Sequence, residues 1–170
     1  KAPYLARMDA DDISEQNRLG IQFETIVRDG YDLVCSNYGY IDENSKPIKR
    51  SVKYYTSEQI KSILPFGNVI HHPTVIMKKG TFNKVGGYRN FLSAQDYDLW
   101  LRFLDADATF FMNKEKLLKY RLRKNSISNS KRVQQQYTSI FIRKLYMQRL
   151  KNGTDNYTFC NYLKYLSDNK

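Results

Sequence analysis

Residues 3–42 read PYLARMDADDISEQNRLGIQFETIVRDGYDLVCSNYGYID, and this stretch decides the fold. PYLARM is short, apolar at alternate positions and ends at acids, which predicts a buried strand feeding a loop. SEQNRLGIQFETIVRDG predicts a helix, with Leu19, Phe23, Ile26 and Val27 as its apolar stripe and Gly30 as its stop. YDLVCSNYGYID predicts a second strand. Strand, acidic loop, helix, strand is the beginning of an α/β sheet. In such sheets functional groups gather beyond the carboxyl ends of strands, where Asp9 and Asp11 fall.

The rest of the chain continues the alternation. ENSKP is a turn, and TSEQIKSIL is a short helix opened by a Thr or Ser cap, with Pro65 just past its end. HPTVIMKK is a strand, and GTFNKVGGY is a turn of helix closed by paired glycines. SAQDYDLWLRFLDAD is a helix with Tyr97, Trp100, Leu101 and Leu104 on one face. ATFFM and KLLKYRL are predicted as two strands. A long amphipathic helix is expected over residues 131–151, striped by Val133, Tyr137, Ile140, Phe141 and Leu145. An aromatic-rich helix is expected over residues 155–166. No internal repeat is visible.

Composition sets the outer bounds. The 170 residues suffice for a hydrophobic core, and 41% hydrophobic with 14% aromatic content suits a globular protein. No apolar run approaches the roughly 20 residues that span a bilayer. Cys35 and Cys160 match no metal spacing and are too few for a disulfide framework, so a reducing cytoplasm is the expected compartment. The net charge of +11 implies an anionic partner without choosing among nucleic acid, lipid and phosphorylated substrates.

Within this basic chain, Asp9, Asp11 and Asp12 crowd four positions. Asp12 or Ser14 could cap the following helix, with Glu15 three residues after Asp12. Capping leaves Asp9 and Asp11 unexplained. Separated by Ala10, they would point the same way from an extended backbone and offer oxygen ligands to Mg²⁺ or Mn²⁺. Metal or metal-phosphate binding and surface charge with capping both fit these residues.

Four segments extend the comparison: ARMDADDIS, HPTVIMKK, GGYRNFLSAQDYDLWLRF and YRLRKNSIS. In that order, from Tyr4 to Ser128, they resemble the inverting family 2 glycosyltransferases of the GT-A fold, particularly bacterial enzymes that build surface polysaccharides. The resemblance implies a GT-A-like, Rossmann-like mixed sheet flanked by helices, with a C-terminal helical tail. It makes Asp9-Ala10-Asp11 the DxD motif: Asp11 would hold a divalent cation on the donor diphosphate, and Asp9 would contact the metal or the ribose. It makes Asp96, in SAQDYDLW, the general base that deprotonates the acceptor hydroxyl. Gln95 stands where the family usually has glutamate. His72, beside Pro73, matches a pair near the donor–acceptor cleft. Arg123 replaces a family histidine; it cannot ligate a metal but can grip a diphosphate, as can Arg121.

Each of these has a plainer reading. Ser93 followed by Asp96 resembles a capping box, and an acid in the first turn suits the helix dipole. Asp98 is expected to face outward or to pair with Arg102. His71 and His72 fit a strand-end pair, with no role argued for His71, and one of Arg121 and Arg123 fits a solvated base on a strand.

The family pattern begins with a nucleotide-binding strand absent before Lys1, so an incomplete N-terminus is expected. Residues 1–128 would be the catalytic and acceptor half, and residues 129–170 amphipathic helices packed on it or on a membrane surface. Lys131, Arg132, Arg143, Lys144, Arg149 and Lys151 make the helix over residues 131–151 basic, which suits peripheral contact with an anionic membrane. Implied partners are a nucleotide-sugar, by default a UDP-sugar, and a glycan or lipid-linked acceptor, with self-association through exposed apolar surface. The competing readings are an aromatic-rich binding module for nucleic acid or anionic surfaces, and a folded remnant without activity. The first is disfavoured by the acidic pair and by aromatics that sit on helical stripes, so no nucleic-acid partner is expected.

Overall fold

A computed structural model describes residues 2–123 and 132–169. One mixed sheet organises it. The strands are β1 (Tyr4–Ala6), β2 (Ile13–Ser14), β3 (Leu33–Ile41), β4 (Pro47–Ile48), β5 (Ile76–Lys78) and β6 (Phe110–Arg121). Their order is β1-β5-β3-β6-β2, with β4 hairpinned onto β3. The β3–β6 pair is parallel; β1 with β5, β5 with β3, and β2 with β6 are antiparallel. The helices are α1 (Arg18–Arg28), α2 (Ser57–Ile63), α3 (Lys79–Lys84), α4 (Gln95–Asp105), α5 (Arg132–Asn152) and α6 (Phe159–Asp168).

The parallel pair is the spine because its residues are apolar on both faces, as strands covered twice must be. Val34 packs with Ile26 of α1 and with Ile76 on one side. Leu33, Cys35, Phe110 and Met112 join the main core around Trp100 and Phe103 of α4 on the other. Phe141, Ile142, Leu145, Tyr162 and Leu166 belong to that same core, so α5 and α6 pack into it.

Several expectations are met. Thr56 caps α2, accepting from the Gln59 amide while Gln59 bonds back to the Thr56 amide. Gly86 and Gly87 both lie at positive φ (81° and 65°), and a Cβ on Gly87 would meet the Phe82 ring at 3.0 Å.

Others are corrected. ATFFM and KLLKYRL form the single strand β6, which carries more residues than β3 opposite it: Ser36 faces Asn113, yet Asn37 faces Lys116 and Tyr38 faces Leu118. The Asn37 amide donates to the Lys114 carbonyl inside this bulge, which lets one strand run where two were expected. Neither Asp12 nor Ser14 caps α1; Ser14 belongs to β2, and Asn17 is the cap position without a side-chain bond. On α1 the predicted stripe is turned outward: Leu19, Phe23 and Val27 are each about half exposed, and of that stripe only Ile26 is buried. The buried face is instead Arg18, Gln22 and Thr25. Arg18 donates to the Arg7 carbonyl at 2.6 Å, and Gln22 donates to the Thr74 carbonyl at 2.8 Å. Strand-end carbonyls need donors, and this demand overrides the apolar pattern.

The α5 stripe is also rotated. Phe141 and Leu145 are buried as expected, together with Thr138, Ile142 and Tyr146, whereas Val133 and Ile140 lie at the surface. Asp98 is fully buried rather than outward, and the other arrangement expected for it, the pair with Arg102, forms at 2.8 Å. Arg89 lies 3.7 Å from the same carboxylate and 2.8 Å from Asp155, and Asp155 is 2.6 Å from Arg149. This buried ion network fastens α4 to α5 and to the turn before α6.

Candidate active site

The six residues singled out from the sequence divide between two cavities. Asp9, His72 and Asp96 line one of about 500 Å³; Asp11, Arg121 and Arg123 line another of about 590 Å³. The cause is local. Residues 10–12 make a turn, with the Asp12 amide donating to the Asp9 carbonyl at 3.3 Å, rather than the extended backbone that would aim Asp9 and Asp11 together. Asp9 pairs with Arg7 at 2.7 Å, and Asp11 with Arg123 at 3.1 Å. Asp12 accepts from the Arg121 amide at 3.0 Å, and burial pushes its carboxyl up to about 6.

Arg121 has a structural position. Its guanidinium donates to the carbonyls of Asp11 (2.8 Å), Asp42 (2.9 Å) and Glu43 (3.2 Å), tying the acidic turn to the β3–β4 hairpin. Arg123 remains more than half exposed beside Asp11. The other residues of the segment that begins at Tyr120, residues 124–128, lie outside the described residues, as does Lys131.

Asp96 sits in the first turn of α4. Ala94 precedes that turn in the left-handed region at φ 55°, a costly conformation for a residue with a side chain. The expected Ser93 cap is absent; Ser93 donates to Thr138 at 3.2 Å instead. The sharp entry swings Asp96 into the cavity it shares with Asp9 and His72, where the Asn68 amide donates to its Oδ2 at 2.8 Å. Desolvation raises the Asp96 carboxyl above the usual range, opposed by the nearby His72 and the Asn68 bond. His72 is pushed down by burial, and its Nε2 is hydrogen-bonded to the Tyr88 hydroxyl at 2.7 Å. A half-buried carboxylate with a raised pKa that lines a cavity can accept a proton from a hydroxyl there.

Among the described residues no three His, Cys, Asp or Glu side chains converge on a metal-sized site. The donor set still suits a hard cation of the Mg²⁺ or Mn²⁺ kind, which binds through one or two carboxylates and takes its other ligands from phosphate and water. Asp11 offers one such carboxylate, whereas Asp9, from the same turn, faces the other cavity.

Sequence reading missed Asn68, Tyr88 and the aromatic wall of the Asp96 cavity. His71 stacks on Tyr38 with centroids 4.1 Å apart, and Tyr38 meets Tyr40 edge-on at 5.2 Å. Alternation along β3 puts Ser36, Tyr38 and Tyr40 on one side, a period that was available in SNYGY. Nothing local marked Asn68.

A mixed α/β sheet thus places Asp9 of the acidic turn and the helix-start carboxylate of Asp96 on one cleft, an arrangement of the α/β class. Comparison with known proteins narrows the class. The model of Glycosyl transferase family 2 matches residues 1–70. The O-antigen biosynthesis glycosyltransferase WbnJ of Escherichia coli is 33% identical over 164 residues, covering 95% of this chain and 63% of that protein. Glycosyltransferase MJ1057 of Methanocaldococcus jannaschii is 31% identical over 163 residues, covering 94% and 56%. The structure of S. aureus TarS 1-349 in complex with UDP-GlcNAc superposes with a TM-score of 0.61 at 12% identity, covering 99% of this chain and 48% of that one. The chain belongs to glycosyl transferase family 2 and has the GT-A type of mixed sheet with flanking helices. It spans roughly three-fifths of the length of the two curated relatives described here.

Proposed function

We propose that this chain supplies the acidic turn and the general base of an inverting glycosyltransferase in surface-polysaccharide synthesis. It would move a sugar from a nucleotide-sugar to a hydroxyl of a glycan or lipid-linked acceptor. The observation that carries the reading is that Asp9 and Asp96, from distant parts of the chain, line one cavity. Relatives support it by name: one from E. coli, 32% identical over 101 residues, is a UDP-Gal:alpha-D-GlcNAc-diphosphoundecaprenol beta-1,3-galactosyltransferase, and TarS was solved with UDP-GlcNAc.

In this reading Asp11 would hold Mg²⁺ or Mn²⁺, which when bound would supply positive charge to the departing diphosphate, and Asp9, which lines the other cavity, would contact the metal or the ribose. Arg123 adds charge at the same turn, and Arg121 fixes the turn's position through backbone carbonyls. Asp96 takes the acceptor proton at Oδ1 while Asn68 holds Oδ2. The acceptor oxygen bonds to the anomeric carbon as the carbon–oxygen bond to the diphosphate breaks. His72 stays neutral and, fixed by Tyr88, borders the base. The surface of α5 carries Ile140 and Met147 beside Lys144 and Lys151, a composition that supports peripheral contact with an anionic membrane on the cytoplasmic side. Among the described residues no helix is long and apolar enough to cross a membrane.

Titration of UDP into the chain with and without Mn²⁺, beside Asp11→Ala, tests the reading. The expected result is metal-dependent binding that the substitution weakens. Equal binding with and without metal would remove the metal assignment, and a folded chain with no nucleotide binding would favour the remnant.

A further inference from the structure

The Asp96 cavity continues past the base along an aromatic wall to two cations. Beyond His72 come His71, Tyr38 and Tyr40, each touching the next, and the Arg50 guanidinium lies over the Tyr40 ring at 4.7 Å. Lys53 lies over Tyr55 at 5.2 Å. Arg50 and Lys53 line the cavity and meet aromatic faces; among the described residues no carboxylate pairs with either. The floor of the cavity is polar and unsatisfied. Ser36 Oγ and Asn37 Oδ1, on residues 2% and 8% exposed, and the buried His71 Nε2 have no hydrogen-bond partner. Buried polar atoms are rarely left so, and these make the base of the aromatic wall polar.

We propose that this wall is a subsite for an acceptor sugar bearing a phosphate. The ring packs on Tyr38 and Tyr40, and its phosphate pairs with Arg50 and Lys53. The inference rests on the glycosyltransferase reading and adds to it a class of acceptor. Two adjacent cations match a dianion better than a single carboxylate, and guanidinium binds phosphate through paired N–H groups. The donor diphosphate is already served by the Asp11 turn and Arg123, so the Arg50 end is left for a second anion.

The test is binding of glucose 1-phosphate, glucose and glucuronate to this chain, and to an Arg50→Gln/Lys53→Gln double variant, with UDP titrated into both. Because the two side chains are at the surface, the variant is expected to keep its melting temperature. Glucose 1-phosphate should bind roughly 10-fold or more tightly than glucose, the scale of charge-assisted hydrogen bonds. The double variant should lose that preference while its UDP affinity stays within about two-fold of the parent. Four results would overturn the proposal: no tighter binding of the phosphate than of glucose, detectable or not; glucuronate binding equally well; a preference that survives the double substitution; or an equal loss of UDP affinity, which would give the cations to the donor. Failure of the enzyme reading shows separately, as unchanged turnover in Asp96→Asn, and does not alter the sugar-phosphate comparison.

Discussion

Asp96 and Asp98 stand two residues apart on α4 and live in opposite electrostatic worlds. Asp98 is fully buried and held by Arg102 at 2.8 Å, with Arg89 3.7 Å away. Asp96 faces a cavity, is held by a neutral amide, and has a neutral-leaning histidine beside it. The Asp98 carboxylate is enclosed by arginines and lines neither cavity of the site, so it is committed to holding the fold. A carboxylate left without a cation, and desolvated, is a stronger base. The contrast distinguishes an acid that holds the fold from one available for chemistry, although both sit in the first turn of the same helix.

Substitutions should separate the two. Asp98→Ala leaves Arg102 buried without its partner, and the loss of stability read by denaturant unfolding should be about 3–5 kcal/mol, as for other broken buried ion pairs. A loss under about 1 kcal/mol would mean that the network around Arg89, Arg102 and Arg149 re-forms without it. Asp96→Asn should leave folding and UDP binding nearly unchanged while lowering turnover by ~100-fold or more. Asn68→Ala is subtler. The amide favours the charged form of Asp96, so removing it raises the carboxyl pKa further, and the acidic limb of the kcat/KM profile should move to higher pH. A limb that moves to lower pH, or stays in place, would detach Asn68 from the base.

The fold was largely legible. Alternating apolar residues marked β1 and β3, the Thr56 cap and Pro65 bracketed α2, and the glycine pair ended the turn after α3. What failed was the direction of faces. Leu19, Phe23 and Val27 form a regular stripe, but periodicity says only that one face is apolar and not what covers it. Arg18 and Gln22 looked like solvent-facing residues because the carbonyls that recruit them, those of Arg7, Val34 and Thr74, come from other parts of the chain. The site divides in the same way. Asp9 and Asp96 were found by motif and share a cavity, whereas the divergence of Asp11 follows from a turn that the DAD spacing does not encode. Asn68 and Arg50 reach the cavity only through tertiary folding, and no neighbouring residue signals their position.

The central claim is that Asp96 acts alone as base in one direct displacement. The most direct measurement is the anomeric configuration of the first product formed from an α-linked UDP-sugar by the intact protein, followed by NMR. The account predicts a β-linked product. An α-linked product would require two displacements or another mechanism, and would contradict the role assigned to Asp96.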